Sequence, residues 1–202
     1  MSTSLKPRVT LTDQFFTAVV YATTMHGEQV RKFTDIPYIC HPLGVASLVI
    51  EAHGDEDQAI AALLHDVAED CGGGPRLVDI ELMFGERVAS IVRGCSDSLT
   101  EFEDKKANWG ERKELHLSNL QDAQMDVLIV TAADKLHNAR AIATDLQTSG
   151  SVVWKRFNKD TNKELIIKYY KDVFEILAEK EVTPKLLNPL ASTIKIMEAN
   201  DG

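Results

Sequence analysis

Apolar residues recur at intervals of three and four along almost the whole chain, and this spacing places them on one face of a helix. The first such stripe starts behind Thr12, a residue type that caps helices, and ends near His26. Pro42 suits the first turn of a second helix, and Gly54 is expected to stop it. Alternating apolar and polar residues, which would indicate strands, are nearly absent. The pattern therefore predicts an all-α protein.

A third helix is predicted to open at the acidic run 55–57, to carry His65 in its last turns, and to close at the glycine-rich run 72–75. Further helical patterns cover about residues 78–84, 86–94, 109–120, 122–145, 161–179 and 184–199. The segments 31–38, 72–75 and 96–106 are expected to be loops.

No internal repeat or low-complexity tract marks a domain boundary in the sequence. We therefore expect a single domain over residues 1–202. It should be a helical bundle of about eight to ten helices, with a core at about 10–180 and a C-terminal helix at about 184–199.

The composition agrees with one globular domain, since 44% of the 202 residues are hydrophobic and 26% are charged. The longest apolar runs fall far short of the roughly 20 residues that span a bilayer, and the N-terminal residues do not lead into a signal-peptide core. We therefore expect a cytoplasmic protein with no membrane partner. The three cysteines lack paired spacing, which argues against a disulfide framework and against a cysteine-based zinc site. The net charge of −9 disfavours a nucleic-acid partner.

The strongest chemical signal is the dipeptide His65-Asp66, followed by Glu69 and Asp70. Residues three and four apart share a helix face, so one helix end would present an imidazole and three carboxylates. These charges directly follow the apolar run 61–64, where burying them is costly unless a cation neutralises them. A His-Asp pair alone occurs often by chance, so the prediction of a metal site depends on further ligands.

His41 and Asp134 are the two further candidate ligands. His41 lies at a loop-to-helix junction, and Asp134 interrupts the apolar face of a helix on which Asn138 is its i+4 neighbour. Two imidazoles and two carboxylates suit manganese, iron or zinc better than magnesium, and we expect Mn2+, with other divalent ions as alternatives. A metal of this kind lowers the pKa of bound water and supports hydrolysis, for which the neighbouring acidic pair would handle protons.

Several segments of the chain resemble the hydrolase domain of the RelA/SpoT family, which is an HD-domain family. They are residues 26–32 with 37–42, residues 61–70, residues 84–88 and residues 133–140. The resemblance covers nearly the whole chain and leaves no residues for the synthetase and regulatory domains of long family members. It implies an HD-domain helical bundle that acts as a stand-alone small alarmone hydrolase.

The family cleaves the 3′-pyrophosphate from guanosine tetra- and pentaphosphate, ppGpp and pppGpp, which leaves GDP or GTP and pyrophosphate. The resemblance implies that Mn2+ is held by His41, His65, Asp66 and Asp134. It implies that the catalytic acidic pair is Glu69 and Asp70, and that the nucleotide is contacted by Arg31, Lys32, Lys113, Asn138 and Tyr169. Electrostatics agrees, because a ligand with several phosphates needs nearby cations in an acidic protein.

Alternatives stay open at the level of the substrate and of the activity. Phe33 and the run 71–74 depart from the family's pattern beside the expected pocket, so adenosine 3′-pyrophosphates or the 2′-phosphate of NADPH are alternative substrates. A non-catalytic alarmone sensor would use the same pocket, and another HD phosphohydrolase would share the metal ligands. A homodimer is a further alternative, because paired helical proteins often dimerise.

The remaining histidines and the nucleotide contacts have ordinary structural interpretations as well. His26 and His137 are expected to support the structure, and His53 and His116 to lie on the surface. Tyr169 lies on an apolar stripe, so core packing competes with a role in binding. Exposed cations such as those predicted to contact the nucleotide are, in most proteins, simply solvated.

Overall fold

The computed structural model describes residues 9–96, 108–157 and 161–199. In these residues the α-helices are α1 (Asp13–His26), α2 (Cys40–Glu51), α3 (Glu56–Leu64), α4 (Val67–Asp70), α5 (Gly74–Phe84), α6 (Glu86–Cys95), α7 (Trp109–Gln121), α8 (Met125–Ser149), α9 (Lys163–Glu179) and α10 (Pro184–Ala199). A 3-10 helix, Gly150–Arg156, lies between α8 and α9. Within the described ranges, the only β pairing is an isolated bridge between Val30 and Pro37. The predicted all-α fold class is therefore confirmed.

Side-chain caps explain why α1 and α3 begin where the sequence predicts. The Thr12 hydroxyl accepts a hydrogen bond from the backbone N–H of Gln14 at 3.2 Å, at the start of α1. Before α3, Asp55 accepts from the Gln58 N–H at 3.0 Å, and the Gln58 side chain accepts from the Asp55 N–H at 2.9 Å. This reciprocal capping box satisfies two backbone donors that the helix leaves unpaired.

The helix that was predicted to continue past His65 is interrupted there. α3 ends at Leu64, and α4 begins at Val67, with Asp66 at φ −95° and ψ −9° between them. Consecutive residues on a regular helix point about 100° apart, because 3.6 residues make one turn. The interruption removes this restriction, so two adjacent side chains can turn toward one point.

α3 is the central helix of the bundle. Residues 58–64 are all buried, and α3 packs against α1, α2, α6 and α8. α10 packs along the long helix α8. The C-terminal end of α3, the first turn of α2 and the middle of α8 supply His65, His41 and Asp134, so the predicted ligands lie on mutually packed elements.

Other boundaries differ from the predicted ones in ways that local chemistry explains. α5 begins at Gly74, ahead of the predicted start at residue 78, because Pro75 is well suited to the first turn of a helix. Gly72 and Gly73 have φ values of 130° and 64°, which explains the glycine run as the turn between α4 and α5. The predicted loop 96–106 lies outside the described residues except for Ser96. None of the described helices has both the length and the apolar character needed to cross a membrane.

Candidate functional site

The four predicted metal ligands converge on one buried point. The Nε2 atom of His41 lies 3.1 Å from Oδ1 of Asp134 and 3.5 Å from Oδ2 of Asp66. The Nε2 atom of His65 lies 3.0 Å from Oδ2 of Asp66 and 3.8 Å from Oδ1 of Asp134. Both imidazoles are almost fully buried, with 1% and 3% of their surface exposed for His41 and His65. Residues far apart in the sequence thus form one cluster of two nitrogens and two carboxylates.

Hydrogen bonds on the opposite side of each ring fix the orientation of both imidazoles. Nδ1 of His65 donates to the carbonyl oxygen of Ala62 at 2.8 Å, which leaves Nε2 as the nitrogen that faces the carboxylates. Nδ1 of His41 shares a hydrogen bond with Nδ1 of His137 at 2.9 Å. Burial, together with the charges of His41 and Arg31, lowers the pKa of His137 to about 4, so this neighbour is neutral near pH 7. His137 therefore has the supporting position expected for it.

The pKa values of the two histidines in the cluster are shifted in opposite directions. Burial lowers the pKa of His41. Burial would also lower the pKa of His65, but the charges of Asp66 and Asp134 outweigh it and raise this pKa well above its usual range. Burial would raise the pKa of both carboxyl groups, but His65 beside Asp66 and Lys135 beside Asp134 hold each pKa well below its usual range. The cluster therefore contains two ionised carboxylates, which are stabilised by positive charge beside them.

A divalent cation fits these four residues. Nε2 of His65 is buried and has no hydrogen-bond partner among the described residues, although it lies close to Asp66. An imidazole Nε2 that faces carboxylate oxygens binds a metal through its lone pair, and its proton is released when the metal binds. The ligand atoms of His41, His65 and Asp66 lie within 4.8 Å of one another, which one ion can bridge. Mixed nitrogen and oxygen donors suit manganese, iron or zinc.

The predicted catalytic acidic pair lies close in sequence to the ligand Asp66. Glu69 and Asp70 are exposed on α4, which starts directly after Asp66. Oδ2 of Asp70 accepts a hydrogen bond from Nε2 of Gln29 at 3.0 Å. Oε1 of the same Gln29 amide lies 2.9 Å from Nδ1 of His26. The pair is therefore solvent-accessible, and the loop after α1 holds Asp70 in place.

Arg31 and Asn138 are connected to the cluster by a chain of hydrogen bonds. The side-chain amide of Asn138 donates to Oδ1 of Asp134 at 2.6 Å, and the guanidinium group of Arg31 donates to Oδ1 of Asn138 at 2.7 Å. Asn138 therefore lies beside Asp134, as its i+4 position on α8 predicts, and it links Arg31 to that predicted metal ligand. Lys32 is exposed beside Arg31, and no contact within the described parts of the chain ties it to the cluster.

Lys113 and Tyr169 are connected to the cluster by Lys135, which contacts both the Tyr169 ring and Asp134. The ammonium nitrogen of Lys113 lies 5.1 Å from the centre of the Tyr169 ring, and that of Lys135 lies 5.9 Å from it. Lys135 also donates to Oδ2 of Asp134 at 2.7 Å. Tyr169 is 7% exposed, so core packing accounts for most of its side chain. The surface position predicted for His116 is wrong, because this residue is 4% exposed and packs against the Tyr169 ring.

Comparison with known proteins identifies the family of this chain. Residues 18–165 match the HD domain family. The chain belongs to the HD-domain family. Within this family it is 33% identical over 150 residues to the guanosine-3′,5′-bis(diphosphate) 3′-pyrophosphohydrolase MESH1 of Drosophila melanogaster, and the match covers 73% of this chain and 77% of the relative. The predicted resemblance to RelA/SpoT-type HD-domain proteins is therefore confirmed.

Longer relatives match this HD-domain chain over part of their length. A probable guanosine-3′,5′-bis(diphosphate) 3′-pyrophosphohydrolase of Synechocystis is 36% identical over 127 residues, which are 62% of this chain and 16% of the relative. The bifunctional (p)ppGpp synthase/hydrolase SpoT of Escherichia coli K12 is 36% identical over 130 residues, or 63% of this chain and 18% of that protein. The matched region is thus less than a fifth of these relatives.

Solved structures share the fold of this HD-domain protein. A metazoan SpoT orthologue, described as hydrolysing ppGpp, superposes with a TM-score of 0.73 at 27% identity and covers 95% of this chain and 97% of its own. A 1.85 Å crystal structure from Listeria monocytogenes superposes with a TM-score of 0.64 at 27% identity and covers 77% and 96% of the two chains.

Two residues of this HD-domain site were not predicted from the sequence. Tyr38 donates to Oδ2 of Asp66 at 2.5 Å, and Lys135 pairs with Asp134. Burial and the adjacent Asp66 charge raise the pKa of Tyr38 far above its usual range, so its hydroxyl stays protonated. The available signals were weak: Lys135 directly follows a predicted ligand, and Tyr38 lies in the segment that resembles the family's opening motif.

Proposed function

We propose that this protein hydrolyses the 3′-pyrophosphate of ppGpp and pppGpp, releasing pyrophosphate and leaving GDP or GTP. One observation carries the proposal: the two-histidine, two-aspartate cluster lies beside an exposed acidic pair and beside cations fit for phosphates. The similarity to a Drosophila enzyme of that name over most of both chains supports the choice of substrate.

In this proposal His41, His65, Asp66 and Asp134 hold Mn2+ as the resident metal. When bound, the metal lowers the pKa of a water molecule and supplies the nucleophile for attack on phosphorus. Glu69 and Asp70 accept and deliver protons at the solvent-facing side, which is the ordinary work of a positioned carboxylate.

In this proposal, the nucleotide is held by polar and cationic side chains around the cluster. Arg31 and Lys32 contact the base or phosphates from the loop after α1, and Asn138 holds the nucleotide next to Asp134. Lys113 lies on the far side with the Tyr169 ring and contacts phosphate. Charge-assisted hydrogen bonds of these groups to phosphate oxygens suit a ligand with four or five phosphates.

The decisive experiment incubates the purified protein with Mn2+ and ppGpp and measures pyrophosphate release. Asp70→Asn and Glu69→Gln should lower kcat on the order of 10²- to 10⁴-fold, because each removes an acid–base group. Glu81→Gln, which changes an exposed carboxylate on α5, is the matched control and should keep full activity. The absence of pyrophosphate release from a protein that binds Mn2+ would exclude this substrate.

A substrate panel separates the alternatives that use the same chemistry. Adenosine 3′-pyrophosphates and NADPH are assayed in parallel with ppGpp, and the substrate with the highest kcat/KM identifies the preferred base and phosphate. A non-catalytic sensor would bind one of these nucleotides tightly without measurable turnover of any of them.

A further inference from the structure

Tyr38 connects the loop that carries Arg31 with the predicted metal ligands. Its hydroxyl donates to Oδ2 of Asp66 at 2.5 Å. The same oxygen lies 3.0 Å from Nε2 of His65 and 3.5 Å from Nε2 of His41. The oxygen of Asp66 that faces both imidazoles is therefore also the one that Tyr38 holds.

The Tyr38 ring is itself fixed by its neighbours. Its centre lies 4.7 Å from that of the His26 ring and 5.8 Å from that of His41, and the Arg31 guanidinium lies 5.7 Å from it. Packing on three sides leaves the ring little freedom to rotate.

The backbone on both sides of Tyr38 is fixed as well. The N–H of Tyr38 donates to the carbonyl of Gln29 at 2.8 Å, and its carbonyl accepts from the N–H of His41 at 2.9 Å, in the first turn of α2. A hydroxyl on such a rigid support can select one orientation of a carboxylate.

We propose that Tyr38 is a positioning residue of the metal site, whose hydroxyl holds the Asp66 carboxylate in the orientation that binds metal. Ligating carboxylates are commonly held by hydrogen bonds from neighbouring groups, and loss of such a partner weakens metal binding about 10- to 100-fold. Asp66 is partly exposed, with 24% of its side chain accessible, so the carboxylate would have rotational freedom without this bond. The inference rests on the proposed metal site and does not depend on which nucleotide is the substrate.

Tyr38→Phe tests this proposal because it removes one hydroxyl and keeps the ring that packs on His26 and Arg31. Mn2+ is titrated into metal-free protein by isothermal calorimetry, without nucleotide, and free Mn2+ is counted independently by electron paramagnetic resonance. We expect the Kd for Mn2+ to rise about 10- to 100-fold, while thermal melts in EDTA stay close to those of the wild type. Calorimetry reports stoichiometry separately from affinity, so a partly unfolded sample lowers the stoichiometry and leaves the Kd readable.

The matched control is Tyr21→Phe, which removes a hydroxyl from a ring that packs against Phe84 at 6.0 Å, on α1. This variant should bind Mn2+ like the wild type. Pyrophosphate release by Tyr38→Phe should recover toward the wild-type kcat when Mn2+ is raised in proportion to the new Kd, which a purely structural defect would not allow.

The outcomes separate this inference from the proposed function. Equal Mn2+ affinity of Tyr38→Phe and the wild type overturns the role of Tyr38 and leaves the hydrolase proposal standing. Tight, hydroxyl-dependent Mn2+ binding without ppGpp turnover supports the role of Tyr38 and excludes the substrate. A wild-type protein that binds no Mn2+ overturns both.

Discussion

Single residues decide which atoms of the cluster face a metal. The residue types of His41 and His65 indicate nitrogen ligands, but either ring nitrogen can bind a cation. The contact of Nδ1 of His65 with the Ala62 carbonyl, and of Nδ1 of His41 with His137, turns both Nε2 atoms inward. The backbone and neighbouring side chains thus determine the orientation of both rings.

Phe33 is strained at a turn beside the site. The N–H of Thr34 donates to the carbonyl of Arg31 at 3.0 Å, and Phe33, at the third position of this turn, has φ 63°. Glycine adopts this conformation without strain, whereas a bulky residue rarely does. Phe33→Gly should therefore raise the free energy of unfolding by about 0.5–1 kcal/mol, as measured by urea denaturation.

Ile36→Gly is the control for the Phe33 prediction. It removes a similarly exposed apolar side chain from the same loop, at a position where φ is not positive. Here glycine adds conformational freedom to the unfolded chain and removes a half-buried side chain, so the free energy of unfolding should fall by at least about 0.5–1 kcal/mol. If both variants lose stability equally, the turn does not strain Phe33.

At the level of helices, the ends matter as much as the faces. The interruption between α3 and α4 lets His65 and Asp66 approach within 3.0 Å, which adjacent residues on one straight helix would not readily do. The faces of α6 and α8 matter because the two helices approach closely at Gly94. A Cβ atom at that glycine would lie 2.6 Å from Cγ2 of Val127.

Gly94→Ala tests this close approach. At an exposed helix position without close neighbours, replacing glycine by alanine would raise the free energy of unfolding by up to about 1 kcal/mol, because alanine has the higher helix propensity. The clash with the stiff Val127 side chain costs about 1–3 kcal/mol and should outweigh that gain, so urea denaturation should show a net loss of about 1 kcal/mol.

Val127→Ala supplies the matched background for this prediction. With the methyl groups of Val127 removed, Gly94→Ala should become neutral or stabilising, so the sign of its effect should reverse in the double-mutant cycle. An unchanged loss in both backgrounds would mean that the two helices do not touch at Gly94.

At the scale of the whole molecule, an acidic protein contains a cluster of buried ionisable side chains. The chain has a net charge of −9, and two aspartates lie against two buried histidines near its centre. A divalent cation bound there stabilises the folded state, since the unfolded chain does not assemble the four ligands.

Mn2+ should therefore raise the melting temperature, and EDTA should reverse the effect. At a free Mn2+ concentration of about 100 times Kd the gain is about 2.7 kcal/mol. For a protein of this size, that corresponds to a rise of roughly 5–10 °C in differential scanning fluorimetry.

Asp134→Asn is the control, because it keeps the shape of a ligand and removes its charge. The Mn2+-dependent shift should shrink strongly in this variant. Equal shifts in the wild type and the variant would show that the ion binds elsewhere, whereas equal shifts with Mn2+ and Mg2+ would show that the site does not select Mn2+. A homodimer stays a prediction, which analytical ultracentrifugation of the same samples would test.

The amino-acid sequence alone determined the all-α fold class, most helix starts and the identity of the ligand candidates. Thr12, Asp55 and the apolar spacing act locally, so they can be interpreted without the fold. The two-residue interruption at His65 and Asp66 and the 3-10 helix after α8 were not predicted, because the spacing of apolar residues does not mark either feature.

Only the tertiary structure decided how the site is completed. Tyr38 reaches Asp66, Arg31 reaches Asn138, and His116 becomes buried against Tyr169. The first two of these contacts join residues 28 and 107 positions apart, and no local pattern encodes such pairs. Local propensity selects helices and ligand types, whereas the packing of α2, α3 and α8 sets the distances on which metal binding depends.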